Sequence, residues 1–378
     1  NSDQMYLYDR EVDEVKAILP HDEEIHYIPE SFSFDSRSLY YVTDKDSEFL
    51  QLKKYDIETG EIEDIIEEEW DIDFVKFSSQ HRYLVYGINS DAKHELKIYD
   101  TVDDRYLPIP DLPEDPDDLV KAEVIRYKSF DGLEIPAIYY KPDTKPGEKV
   151  PALLWIHGGP GGQSRVEYKP LFQYLVNHGY AILAVNNRGS SGYGKTFFKA
   201  ADLQHGEVDL ADCVESKKFL NSKDYIATDQ IGIMGGSYGG FMVLAALAFQ
   251  PEEFALGVDI FGVSNWERTL KSIPKWWEGF REALYKKMGD PFEDTEYVRS
   301  ISPLFHTENI TKPLMVLQGA NDPRVLKVES DEIVEAVKGK GVPVEYIVFD
   351  DEGHGFSKKK NKIKGYKGIL EFADRYLK

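Results

Sequence analysis

The chain is poor in cysteine, in long apolar runs and in positive charge relative to negative. A single cysteine, Cys213, stands among 378 residues. One thiol cannot build an intrachain disulfide framework, which fits a reducing compartment and sets a cytoplasmic location as the expectation. Its setting, Asp209-Leu210-Ala211-Asp212-Cys213-Val214, reads as an amphipathic helix, so the thiol is expected to pack and not to react. No apolar run reaches the roughly 18 residues a membrane-spanning helix needs, so no membrane is expected as a partner. Lys and Arg number 45 against 68 Asp and Glu, a formal net charge of −23. Such a chain is repelled by nucleic acid and anionic lipid, and its charge acts mainly on solubility. No residues have the spacing of a zinc or calcium site, and neither metal nor cofactor is expected. An initiator methionine and a signal peptide are also lacking ahead of the first strand-like run, Met5-Tyr6-Leu7-Tyr8. The chain is therefore expected to begin inside a larger protein.

What is present suffices for a core. Hydrophobic residues make up 42% of a length that suggests two domains. Residues 1–118 hold short alternating runs parted by turns: Phe32-Ser33-Phe34, then Leu39-Tyr40-Tyr41-Val42, then Leu50–Asp56. The pattern recurs in Val75–Ser78, Tyr83–Tyr86 and Glu95–Asp100. Tyr55-Asp56 and Tyr99-Asp100 lie 44 residues apart, and Leu7-Tyr8-Asp9 is a third echo. A period of about 40–45 residues with four short strands is that of a β-propeller blade. Two blades and a remnant are visible, a partial β-propeller, since a closed one needs about four to eight. A piece of β-sandwich is the other arrangement such strands allow.

Leu107–Pro116 is a proline- and acid-rich linker. From residue 119 to 378 the grammar is α/β. Val124–Tyr127 and Ile135–Tyr140 read as a hairpin around Asp131-Gly132. Apolar strand runs follow at 150–156, 180–185, 231–234, 256–261, 314–317 and 344–349, with helical patterns between most of them. Eight strands so arranged imply a doubly wound sheet, antiparallel at its start.

Gly235-Gly236-Ser237-Tyr238-Gly239 lies between the strand ending at Met234 and an apolar helix. G-x-S-x-G there is a nucleophile elbow, a turn so sharp that its flanks exclude side chains. A serine hydroxyl needs a base, and in this architecture acid and base follow it in that order. Asp322, in Gly319–Val325, and His354, in Asp351–Phe356, each stand just past a later strand. His354 would take and return the Ser237 proton, with Asp322 fixing its tautomer. Asp322 could instead cap the helix that follows. Asp350, Asp351 and Asp259 are rival acids, and His205 and His306 rival bases. The Tyr238 N–H would be one oxyanion donor, with a second from the loop His157-Gly158-Gly159-Pro160-Gly161-Gly162. His157 itself is expected to bond its own loop.

The motifs HGGPGG at 157–162, NNRGSSGYG at 186–194, GGSYGGF at 235–241, SNW at 264–266, GANDPRV at 319–325 and DEGHGF at 351–356 occur in that order. Residues 120–378 thereby resemble the catalytic domain of the prolyl oligopeptidase family of serine peptidases, its acylaminoacyl-peptidase branch in particular. The resemblance implies an α/β-hydrolase domain joined to a β-propeller. It implies a Ser237, Asp322 and His354 triad, with the Gly159 and Tyr238 N–H groups as oxyanion hole. By resemblance, Trp266 and the aromatic group Trp276, Trp277 and Phe280 would line a pocket for an apolar side chain, unless they serve ordinary packing. Arg188 resembles an arginine beside the site, binding substrate or tying loops together. The implied substrates are short peptides or N-acylated peptides. If these two blades are the whole propeller, no closed funnel restricts access and a carboxylesterase acting on acyl esters is the alternative; if the chain is a piece of a longer one, the peptidase reading stands. A non-catalytic binding module is a remote alternative. Self-association into a homo-oligomer stays open.

Overall fold

The computed structural model describes residues 4–109, 119–273 and 275–378, without the side chains of Lys275 and Trp276. Most of the linker and the expected boundary at 118/119 lie outside the described residues. The chain forms two compact units, Asn1–Asp115 with Ser191–Phe198, and Pro116–Ser190 with Lys199–Lys378.

In the first unit, β1 (Met5–Asp9) and β2 (Glu14–Ile18) pair as a hairpin. Two four-stranded antiparallel sheets follow: β3 (Tyr27–Phe32), β4 (Ser38–Thr43), β5 (Gln51–Asp56) and β6 (Ile62–Ile66), then β7 (Ile72–Phe77), β8 (Tyr83–Ser90), β9 (Lys93–Asp100) and β10 (Arg105–Leu107). In each sheet every strand pairs with its sequence neighbour, the topology of a propeller blade. The Tyr-Asp repeat has a physical cause. Asp56 Oδ1 accepts the Glu58 and Thr59 N–H groups at 2.9 and 2.7 Å. Asp100 Oδ1 accepts those of Val102 and Asp103 at 3.1 and 3.2 Å, and Asp9 Oδ1 that of Glu11 at 2.9 Å. Each aspartate ends a strand and closes the turn into the next. The β1–β2 hairpin thus matches the third and fourth strands of each four-stranded sheet. Val42, Leu52 and Ile66 of one blade share a core with Ile72, Val75, Leu84 and Tyr86 of the next. Residues 191–198 bond within this unit: Lys195 N–H donates to the Glu48 carbonyl (3.0 Å), Thr196 N–H to Glu48 Oε1 (2.7 Å), and Asn89 Nδ2 to the Gly192 carbonyl (3.2 Å).

The second unit is built on β11 (Ala122–Lys128), β12 (Glu134–Tyr140), β13 (Val150–Ile156), β14 (Ala181–Val185), β15 (Ile226–Gly236), β16 (Gly257–Ile260), β17 (Leu314–Gly319) and β18 (Val344–Phe349). Their order is β11-β12-β14-β13-β15-β16-β17-β18. β11, β12 and β14 pair antiparallel and the rest parallel. This is the α/β-hydrolase arrangement. Parallel strands covered on both faces read as unbroken apolar runs, as β14 does, buried throughout. The helix Tyr238–Phe249 is likewise buried on all sides, which explains why its sequence shows almost no polar face. Five short helices between Trp266 and Asn309, counted among the described residues, have no counterpart among the expected elements.

Candidate active site

The central strand β15 ends in Gly235-Gly236, and Ser237 turns the chain into the helix Tyr238–Phe249 with φ 59° and ψ −118°. That left-handed backbone is strained for a residue with a Cβ, and is held by Ser237 N–H donating to the Ile260 carbonyl at 2.9 Å. The flanking glycines are steric necessities. A Cβ on Gly239 would lie 2.0 Å from the Ile156 carbonyl oxygen, and one on Gly235 2.5 Å from that of Gly239.

β17 and β18 bring the other two groups to the same end of the sheet. His354 Nε2 lies 3.0 Å from Ser237 Oγ, and His354 Nδ1 2.7 Å from Asp322 Oδ2. Facing a carboxylate, Nδ1 carries the proton, which leaves the Nε2 lone pair toward the serine hydroxyl. The other Asp322 oxygen accepts the Arg324 and Val325 N–H groups at 2.9 and 3.0 Å. Asp322 therefore closes a turn with one oxygen and meets the imidazole with the other. The Phe261 ring stands 4.6 Å from the imidazole. Glu352, buried two residues before His354, accepts the Ser357 N–H (3.0 Å), the Lys358 N–H (2.9 Å) and Asn361 Nδ2 (2.7 Å), which braces the histidine loop.

The glycine loop after β13 runs beside the elbow, where a Cβ on Gly158 would stand 3.6 Å from Ser237 Cβ. A Cβ on Gly159 would meet the Gly161 nitrogen at 2.5 Å, so the loop can fold this tightly only without side chains. Tyr238, the first residue of its helix, has one of the N–H groups that a helix N-terminus leaves unused. His157 Nδ1 lies 2.8 Å from the Gly158 carbonyl and Nε2 2.8 Å from Ser190 Oγ. Burial pushes its pKa down to about 4, so it is a neutral brace.

Arg188 is buried. Its guanidinium bonds Asp212 (2.8 Å) and Asp131 (2.8 Å) and stacks over Phe130. Those contacts tie its loop to the helix Val208–Asn221 and to the β11–β12 turn. Trp266 is 3% exposed, packed against Phe241 with ring centroids 5.2 Å apart. Trp277 lies under Arg324 and near Phe280, which is exposed. The Trp276 side chain lies outside the described residues. Among the rivals, Asp259 is fully buried and accepts the Gly262 N–H at 2.7 Å. Asp351 pairs with Lys358 and Lys360. The Asp350 carbonyl accepts Asn321 Nδ2 at 2.7 Å. His306 packs on Phe249, and His205 belongs to a buried cluster with Asp209 and Tyr238. That cluster and the Glu352 brace were not read from the sequence. Both are held by pairs of distant or unpatterned residues. Among the described residues no group of His, Cys, Asp and Glu could hold a metal ion, and no helix is long and apolar enough to cross a membrane.

Sheet order, elbow and the meeting of Ser237, His354 and Asp322 define an α/β-hydrolase domain. The chain belongs to the prolyl oligopeptidase family, whose pattern matches residues 167–378. It is 42% identical over 231 residues to dipeptidyl aminopeptidase BIII of Pseudoxanthomonas mexicana, covering 61% of this chain and 33% of that protein. Dipeptidyl peptidase family member 6 of Caenorhabditis elegans is 40% identical over 228 residues, with 60% and 31% covered. An acylaminoacyl peptidase solved in complex with Z-Gly-Gly-Phe-chloromethyl ketone superposes with a TM-score of 0.73 at 28% identity, covering 100% of this chain and 59% of that one. The matched region thus spans about a third of the two curated relatives.

Proposed function

We propose that the chain carries the catalytic domain of a serine peptidase that cleaves short peptides or N-acylated peptides through an acyl-enzyme. The observation that carries this reading is the His354 imidazole standing 3.0 Å from Ser237 Oγ and 2.7 Å from Asp322. Ser237 Oγ attacks the scissile carbonyl carbon as His354 Nε2 takes its proton. The C=O electrons move to oxygen, and the Tyr238 and Gly159 N–H groups receive that oxyanion. His354 then gives the proton to the leaving amine and the C–N bond breaks. Water, deprotonated by the same imidazole, repeats the sequence on the acyl-serine and releases the acid. Asp322 holds the imidazole in the tautomer both halves need and stabilises it when charged.

Peptide substrates are favoured by the relatives, which bear dipeptidyl peptidase and acylaminoacyl peptidase names. The deciding experiment assays wild type and Ser237→Ala on aminoacyl anilides and on short-chain acyl esters. Loss of both activities in the variant is expected, and retained activity would overturn the reading. Wild-type turnover of esters with none of any anilide or peptide would select a carboxylesterase. The compartment proposed is the cytoplasm, since the one cysteine, buried and free, gives the chain no disulfide framework of its own.

A further inference from the structure

Behind the elbow lies a cluster that the triad does not use. The Tyr238 phenol is buried and donates to Asp209 Oδ2. His205 Nδ1 stands 2.7 Å from the Tyr238 hydroxyl and 3.1 Å from Asp209 Oδ2, and its ring meets that of Tyr238 edge-on at 5.4 Å. His205 and Asp209 are 1% and 0% exposed. The other Asp209 oxygen accepts the Gly206 and Leu210 N–H groups at 2.7 and 2.9 Å, which fixes the carboxylate at the start of the helix Val208–Asn221. Among the described residues His205 Nε2 has no hydrogen-bond partner. Its Nδ1 faces both the carboxylate and the phenol oxygen, within hydrogen-bond reach of each.

Tyr238 joins two requirements in one residue. Its backbone N–H is the oxyanion donor of the proposed mechanism, and its rigid ring ends in this cluster. We propose that Asp209 and His205 are positioning residues that set the Ser237–Tyr238 peptide, and hence the oxyanion donor, by gripping the Tyr238 hydroxyl. This rests on the serine-hydrolase reading above. A phenyl side chain has few torsions, so fixing its far end fixes the orientation of the peptide at its near end. Losing an oxyanion donor outright costs about 100- to 1000-fold in kcat, and misaiming one should cost a part of that.

The test compares Tyr238→Phe, Asp209→Asn and His205→Gln with wild type and Ser237→Ala. It reads kcat and KM on one acyl ester, the inhibition constant of phenylboronic acid, whose tetrahedral adduct places an oxygen in the hole, and the melting temperature. Tyr238→Phe removes one oxygen and keeps the ring. The expectation is a kcat about tenfold lower with KM within about twofold, and boronate affinity reduced by the same factor as kcat. Asp209→Asn should follow Tyr238→Phe, and the double variant should be no worse than either alone. Wild-type kcat and boronate affinity in folded Tyr238→Phe overturn the proposal, whatever the stability. A fall in melting temperature with unchanged kinetics assigns the cluster to packing alone and likewise overturns it. If Asp209→Asn does not fold, Tyr238→Phe decides. Activity surviving in Ser237→Ala is a separate failure, that of the serine reading itself.

Discussion

The Asn321 N–H donates to the Glu352 carbonyl oxygen at 3.0 Å, so the loop holding Asp322 is bonded directly to the loop holding His354. Acid and base are thus registered by backbone as well as by their own hydrogen bond. The approach is close enough that a Cβ on Gly319 would lie 2.2 Å from the Gly353 carbonyl oxygen. Gly319→Ala must push the histidine loop away, and a displacement near 1 Å can cost about 100-fold in rate. We expect kcat/KM to fall by about that factor and the melting temperature to drop. Kinetics and thermal unfolding check both, and wild-type kinetics would contradict the registration.

Glu352 should make that loop acid-sensitive. Burial raises its pKa, but hydrogen bonds from Asn361, Lys358 N–H and Ser357 outweigh this and bring it from 4.5 to about 2. A carboxyl depressed in the folded state stabilises above its unfolded pKa and loses that contribution as pH falls. The stability advantage of wild type over Glu352→Gln should be full above about pH 4.5 and shrink toward pH 2. Denaturant titrations across that range read it directly. An advantage independent of pH would refute the assignment.

Arg188 separates a buried ion pair from an exposed one. The Asp212 side chain is 0% exposed and that of Asp131 41%. Arg188→Met leaves Asp212 as an unpaired buried charge, which should cost about 3–5 kcal/mol. Asp131→Asn removes a partly solvated partner and should cost about 1 kcal/mol or less. Urea unfolding measures both, and equal losses would contradict this division.

Asp259 carries the opposite sign from Glu352. Burial raises its pKa from 3.8 to about 7, against the Gly262 N–H, which lowers it. The folded state then holds a proton that the unfolded state has released, so wild-type stability declines as pH rises between those values. Asp259→Asn has no such proton and keeps an oxygen for the Gly262 N–H. Its stability relative to wild type should grow between about pH 4 and 7 and then level off. A difference flat across pH would argue against burial as the cause.

Ser237, Asp322 and His354 were legible because each stands where an apolar run stops at glycine or proline, a signal confined to a few neighbouring residues. The parallel strands were legible for a similar reason, since buried ones leave unbroken apolar runs, and β11 and β12 by the Asp131-Gly132 turn between them. Asp209 and His205 carry no such mark. Their role depends on Tyr238, separated from them by an intervening helix and strand, and neither sits in a patterned turn. The pairing of Arg188 with Asp212 and Asp131 depends in the same way on which helix and turn the sheet order brings beside its loop. The Trp266–Asn309 stretch hid its short helices because each is little longer than one or two turns, too few for a period to show.

Ser191–Phe198 make the first unit discontinuous along the chain. Its hydrogen-bond partners Glu48 and Asn89 are encoded far upstream of the motif in which the segment lies. A cut between residues 109 and 119 would therefore strand the segment on the wrong fragment. The same holds for recombination between relatives. A chimaera joined at that boundary would unite a segment from one parent with blade residues from the other, so the natural exchange unit extends beyond the apparent domain border.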